Sequence, residues 1–234
     1  MVQVHIFKQF DADLEAVRSR VLQMGGLVEE QIGKSVEALH SGNLVLADEV
    51  IANDYRVNAM EVGIDEDCTH LIARRQPTAS DLRVLMMIVK TITDLERIGD
   101  EATKIARMAK LIHENNRLSP PRFTEIKTMS GLVLQMLRQS LDSFARLEPS
   151  AAVQVARQDL HVDEEFRSVL RHLITFMMED PRTITGAIDV LFAAKAIERM
   201  GDHAKNMSEY VVYMVKGKDV RHTSVEEIER EMQE

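Results

Sequence analysis

Two hexapeptides, Leu95–Asp100 (L-E-R-I-G-D) and Ile197–Asp202 (I-E-R-M-G-D), stand about a hundred residues apart in this chain and constrain its architecture more than any other feature. Related pairs occur along the whole length. Met24-Gly25-Gly26-Leu27-Val28 aligns with Met129-Ser130-Gly131-Leu132-Val133 at an offset of 105, and Asp54–Val57 with Asp159–Val162 at 105. Pro77 aligns with Pro181 at 104, and Glu96 with Glu198 at 102. A slowly drifting offset held over four anchors reads as a tandem duplication. Whatever unit the first half folds into, the second half must fold into as well.

That unit is helical. Between the breaks at Ser41-Gly42-Asn43, Pro77, Pro120-Pro121, Pro149 and Pro181, apolar residues recur at three and four, never at strict alternation. The spacing predicts six long helices at about 6–40, 44–75, 78–114, 122–147, 150–179 and 182–216, with a short polar helix near 223–232. Thr78-Ala79-Ser80-Asp81 offers capping side chains at the start of the third. The expected fold is all-α: a tandem duplication of a long three-helix bundle, residues 1–117 and 118–220, followed by a polar tail over 221–234. Each bundle is expected to bury its own apolar stripe. A helix of 35 residues is roughly 50 Å long, so the molecule is elongated.

The hexapeptides also carry the candidate chemistry. Glu96 with Asp100, and Glu198 with Asp202, stand four apart and share a helix face. Like charges at that spacing cost an exposed helix roughly 0.2–0.5 kcal/mol, and the mid-helix glycines Gly99 and Gly201 cost about 1 kcal/mol each relative to Ala. Partners for these acids come from the helix before. Reflecting the sequence about the turn at Gln76–Pro77 sets Asp54 and Asn58 beside Asp100 and Glu96. Reflecting about Asp180–Pro181 sets Asp159 level with Asp202 and Asp163 level with Glu198. Four oxygen donors gathered twice point to a hard cation such as Mg, Mn, Ca or iron. The second half should bind it more tightly, because Asp163 supplies a charge that Asn58 lacks.

Other features exclude whole classes of function. A net charge of −9 argues against nucleic acid as the main partner. One cysteine, Cys68, precludes an internal disulfide and suits a reducing cytosol. The N-terminus lacks an apolar run of signal-peptide length, and none elsewhere nears the roughly 20 residues that span a bilayer. The expected location is cytoplasmic, with any membrane contact made through a partner or a surface. No Gly-rich phosphate loop, Ser-His-Asp set or reactive Cys context is present, so catalysis has no visible apparatus. Glu37-x-x-His40 reads as surface, His203 as a solvated flank of Asp202, and the methionines as core filler. Val211, Val212 and Met214 form an apolar shoulder that three helices leave uncovered, which predicts a homodimer.

The segments Arg75–Arg83 (R-Q-P-T-A-S-D-L-R), Leu95–Ile105, Ile197–Asn206 (I-E-R-M-G-D-H-A-K-N) and Val215–His222 (V-K-G-K-D-V-R-H) resemble the PhoU family over essentially the whole chain. The resemblance implies two three-helix bundles whose acidic motifs bind metal ions, iron or another divalent cation such as Mg, Mn or Zn. The family positions fall on Asp54, Glu96, Asp100, Asp159, Asp163, Glu198 and Asp202. Asn58 departs from the family pattern where an Asp would end the motif, and Lys104 stands where the second copy has Asn206. The resemblance further implies a regulator rather than an enzyme, a negative regulator of the phosphate regulon and of phosphate uptake. It would couple the phosphate ABC transporter, through its ATPase subunit, to a sensor histidine kinase. The alternative reading of the same carboxylates is a metalloenzyme or a metal-storage bundle.

Overall fold

The computed structural model describes residues 8–114 and 124–233, and these are helical nearly throughout. Helix α1 spans Lys8–Ser41, α2 Leu44–Arg75, α3 Ala79–Glu114, α4 Thr124–Arg146, α5 Ala152–Glu179, α6 Ile184–Lys216 and α7 Val225–Gln233. The expected starts of the first and fourth helices, at 6 and 122, and the boundary at 117/118 lie outside the described residues. The remaining ends agree to within about two residues, and local chemistry explains them. Asn43 caps α2 by accepting a hydrogen bond from the Val45 N–H at 3.2 Å. Gln76 ends the helix in the left-handed region, just before Pro77. Pro149 and Pro181 each open a single 3₁₀ turn, over 149–151 and 181–183, so α5 and α6 begin two residues later than periodicity implies. Gly217 (φ 73°) closes α6, its N–H donating to the Tyr213 carbonyl at 3.0 Å.

Helices α1, α2 and α3 pack on one another, as do α4, α5 and α6. The apolar faces expected from the helical spacing are buried, except that Met60, expected on the α2 face, is only half-buried. Val50, Val57, Ile64 and Leu71 of α2 face inward, as do Leu95, Ile98, Ala102, Ile105 and Ala109 of α3 and Ile197, Met200, Ala204 and Val211 of α6. The two bundles do not stand apart, however. Helix α3 lies along α6, α1 touches α4, and one apolar core runs continuously through both halves. Asp94 meets His203 while Glu101 meets Arg199, so α3 and α6 run antiparallel. His203 is therefore not a solvated flank: its Nδ1 donates to Asp94 Oδ1 at 2.6 Å, clipping the halves together. Arg18 of α1 makes the second joint, donating to the Ala145 carbonyl at 2.7 Å with its guanidinium 5.9 Å from the Phe144 ring centroid.

Residues 221–234 were expected to be a polar tail, and the structure corrects this. Helix α7 folds back so that Ile228 and Val220 pack with Ala152, Ala156 and Val212. Val212 is consequently buried, and Val211 and Met214 are buried as well, in the main core. The uncovered shoulder that motivated a homodimer is not present, because α7 and the preceding loop cover Val212 while the core shared by both halves takes in Val211 and Met214.

Candidate functional site

The two acidic motifs sit on corresponding stretches of α3 and α6, and each faces the helix before it. In the first half Asp54 of α2 accepts a hydrogen bond from the Thr103 hydroxyl at 2.9 Å. Its charge bears on both Asp100 and Glu96, as the reflection about Pro77 predicts. Burial, chiefly, and then the neighbouring carboxylates push Glu96 and Asp100 above the ordinary carboxylate range. Arg97 lies 3.5 Å from both acids and offsets this only in part. Asn58 Oδ1 and Glu96 Oε2 are both buried without a hydrogen-bond partner.

The sequence reading missed two members of this cluster. Glu61 adds its charge to Glu96 and accepts from the Thr93 hydroxyl at 3.3 Å. Gln31 of α1, 3% exposed, has neither side-chain oxygen nor nitrogen partnered. Its Oε1 would lie 3.3 Å from a Cβ at Gly99, with Val57 Cγ1 at 3.4 Å on the other side. Gly99 is thus the residue that lets α3 approach α1 and α2 closely beside the acids. Glu61 was legible, three residues beyond Asn58 on the same stripe. Gln31 was not, because nothing in the repeat marks α1 as a contributor.

In the second half the same four positions gather. Asp159 is 6% exposed, while Asp202 reaches solvent. Burial raises Asp202 to about 6, with Glu198, Asp159 and Asp163 adding like charge. Burial likewise holds Asp159 above its ordinary value, against the pull of Lys205. Two ammonium groups distinguish this half. Lys205 donates to Asp159 Oδ2 at 3.0 Å and Lys195 to both oxygens of Glu198 at 2.5 Å. At the matching positions the first half has Thr103 and Thr93, and in place of Gln31 the second half has Met136. The extra charge of Asp163, which favoured the second half for cations, is therefore offset within the chain.

Among the described residues no three His, Cys, Asp or Glu side chains close around a single metal position. The donor set nevertheless fits a hard cation. Oxygens predominate, several are buried and unpartnered, and like charges are held together at a cost that a cation removes. Sulfur chemistry has no place here, since burial pushes the Cys68 thiol up to about 12. No helix among the described residues is long and apolar enough to cross a membrane.

Comparison with known proteins agrees with this geometry. The PhoU domain family model matches residues 21–109 and 126–211, the two halves of the duplication. The chain is 48% identical over 229 residues to a phosphate-specific transport system accessory protein PhoU homolog of Pseudomonas putida, covering 98% of this chain and 89% of that protein. It is 45% identical to the phosphate-specific transport system accessory protein PhoU of Escherichia coli, covering 97% and 93%. The crystal structure of PhoU from Pseudomonas aeruginosa superimposes with a TM-score of 0.86 at 46% identity, over 89% of this chain and all of that one. The phosphate transport system regulatory protein PhoU from Streptococcus pneumoniae does so at 0.83 and 29% identity, over 90% and 99%. Matched by the family model in both halves and by these relatives over nearly its whole length, the chain belongs to the PhoU family.

Proposed function

We propose that this protein is the accessory regulator of a phosphate-specific transport system. In this reading it is a non-enzymatic adaptor that couples the phosphate ABC transporter, through its ATPase subunit, to a sensor histidine kinase. When phosphate is plentiful it keeps the kinase from switching on the phosphate regulon and restrains uptake. The observation that carries the reading is the full-length likeness to proteins named as accessories of that transport system. A long double helical bundle suits a scaffold that partners bind along its length. Deletion of the gene should raise a phosphate-starvation reporter to its starved level in phosphate-rich medium, and removing the kinase as well should abolish the rise. Normal repression in the deletion strain would remove the regulator reading.

The carboxylates have a supporting role in this proposal. Asp54, Asn58, Glu96 and Asp100 would hold one divalent cation, with Gln31 at hand, and Asp159, Asp163, Glu198 and Asp202 another. When bound, the cation supplies positive charge between two helices of a hairpin, which stiffens a surface that partners read. Lys205 and Lys195 already supply part of that charge in the second half. Lys205→Thr should therefore raise second-half affinity for Mn²⁺ by about threefold, the scale of a partly exposed ion pair. Equilibrium dialysis of the Asp100→Asn background, which isolates that half, measures this directly. Unchanged affinity would show that the lysines do not compete.

A further inference from the structure

Where α3 begins and α6 ends, the two helices and the loop after α6 enclose a cleft of about 420 Å³. None of the carboxylates discussed above lines it. Its floor is apolar, built from Leu82, Met86, Tyr210 and Tyr213, with Leu82 38% and Met86 45% exposed. Along its α3 wall stand Arg83 and Lys90, seven residues apart on one helix face and so about 10 Å apart along the axis. Each cation lies over a tyrosine ring, Arg83 at 5.7 Å from the Tyr213 centroid and Lys90 at 5.7 Å from that of Tyr210.

Among the described residues neither cation has a carboxylate within ion-pair distance, although Asp219 at the rim feels the charge of Lys90, and Arg83 Nε is buried with no hydrogen-bond partner. The third cation of the cleft, Arg221, is already committed, its guanidinium gripping both oxygens of Asp219 at the rim. The opposite wall holds Glu209, 5% exposed and without a hydrogen-bond partner among the described residues. The turn that closes the cleft is shaped around Arg83. Gly217 sits in the left-handed region, and any Cβ there would collide with the guanidinium.

We propose that this cleft docks an acidic, amphipathic segment of a partner protein. Two carboxylates about 10 Å apart pair with Arg83 and Lys90, and an apolar side chain between them seats on Met86, Tyr210 and Tyr213. Acidic residues seven apart on a helix share a face and have that separation. Charge complementarity selects the class: two cations without a contacting carboxylate flank an apolar floor of the Tyr, Met and Arg composition that concentrates at protein interfaces. A nucleotide suits the cleft less well. One face of each tyrosine ring already carries a cation, and Tyr210 is 8% exposed, which leaves little ring surface on which a base can stack.

This inference rests on the adaptor reading and names the surface that reading requires. The test pans the full-length protein against a display library of short random peptides. Enriched peptides should carry paired acidic residues flanking an apolar one. A labelled example should bind the R83E/K90E variant at least about tenfold more weakly. Met86→Asp, at an exposed position that leaves folding intact, should weaken it similarly. Basic or neutral enriched peptides, equal binding to the variants, no enrichment at all, or occupation of the cleft by ATP or inorganic phosphate instead would overturn the proposal. A strain carrying R83E/K90E separates the two readings. If deletion derepresses the regulon but the variant does not, the cleft is excluded and the adaptor stands. If deletion itself leaves repression intact, the adaptor reading fails.

Discussion

Phe144→Ala is expected to lower the stability of this protein by about 3–5 kcal/mol, the range for emptying a fully buried aromatic site. Phe144 is 1% exposed at the end of α4, within the apolar core shared by both halves. Its ring lies beneath Arg18 of α1, and Arg18 also donates to the carbonyls of Phe144 and Ala145. Removing the ring opens a cavity and unseats the guanidinium that joins the bundles. For a chain of this size the loss corresponds to a fall in Tm of roughly 10 °C. Arg18→Ala removes the hydrogen bonds but leaves the ring, and should cost only about 1–2 kcal/mol. Chemical denaturation of both variants measures the difference. A loss below 1 kcal/mol for Phe144→Ala would mean that the seam between α1 and α4 is not part of the load on the fold.

The second large effect is electrostatic. With a chelator present, stability is expected to fall as pH rises from about 5 to 8. Glu209 is held at about 7 in the folded chain against an ordinary 4.5, mainly because it is buried. Lys205 and Arg221 pull it down, while Asp159 and Asp219 push it up. Between those two pH values the folded chain keeps a proton that the unfolded chain has released, so stability is lost as pH rises through the window. The shift corresponds to about 3 kcal/mol. Asp202, raised to about 6, acts in the same direction but more weakly, since it reaches solvent. Glu209→Gln should stabilise the protein at pH 8 and flatten the pH dependence. The opposite slope, with stability lost on acidification through this window, would show that Glu209 is charged and satisfied in the folded state.

The helices were legible because their signal is local. A stripe at period 3.6 between proline breaks determines where a helix runs and which side it buries, whatever the helix packs against. The carboxylate pairing was legible for a related reason: a short turn forces antiparallel neighbours, so position along one helix predicts position along the next. Asp54 with Asp100, and Asp159 with Asp202, are placed by that arithmetic alone. Duplication doubled the signal, since each half tested the other.

By itself, then, the sequence determined an all-α duplicated fold, the faces that are buried and the two acidic clusters. Only the tertiary structure decided how the halves meet. The seam of Asp94 with His203 and Glu101 with Arg199 joins residues about a hundred apart, through faces whose mutual rotation no helix encodes alone. The cover of Val212 by α7, the lysines that occupy the second cluster and the cleft around Arg83 depend on the same long-range choice. The physical reason is the range of the forces. Helix periodicity and short turns act within a few residues, while burial and charge pairing across the bundle depend on which surfaces exclude water together.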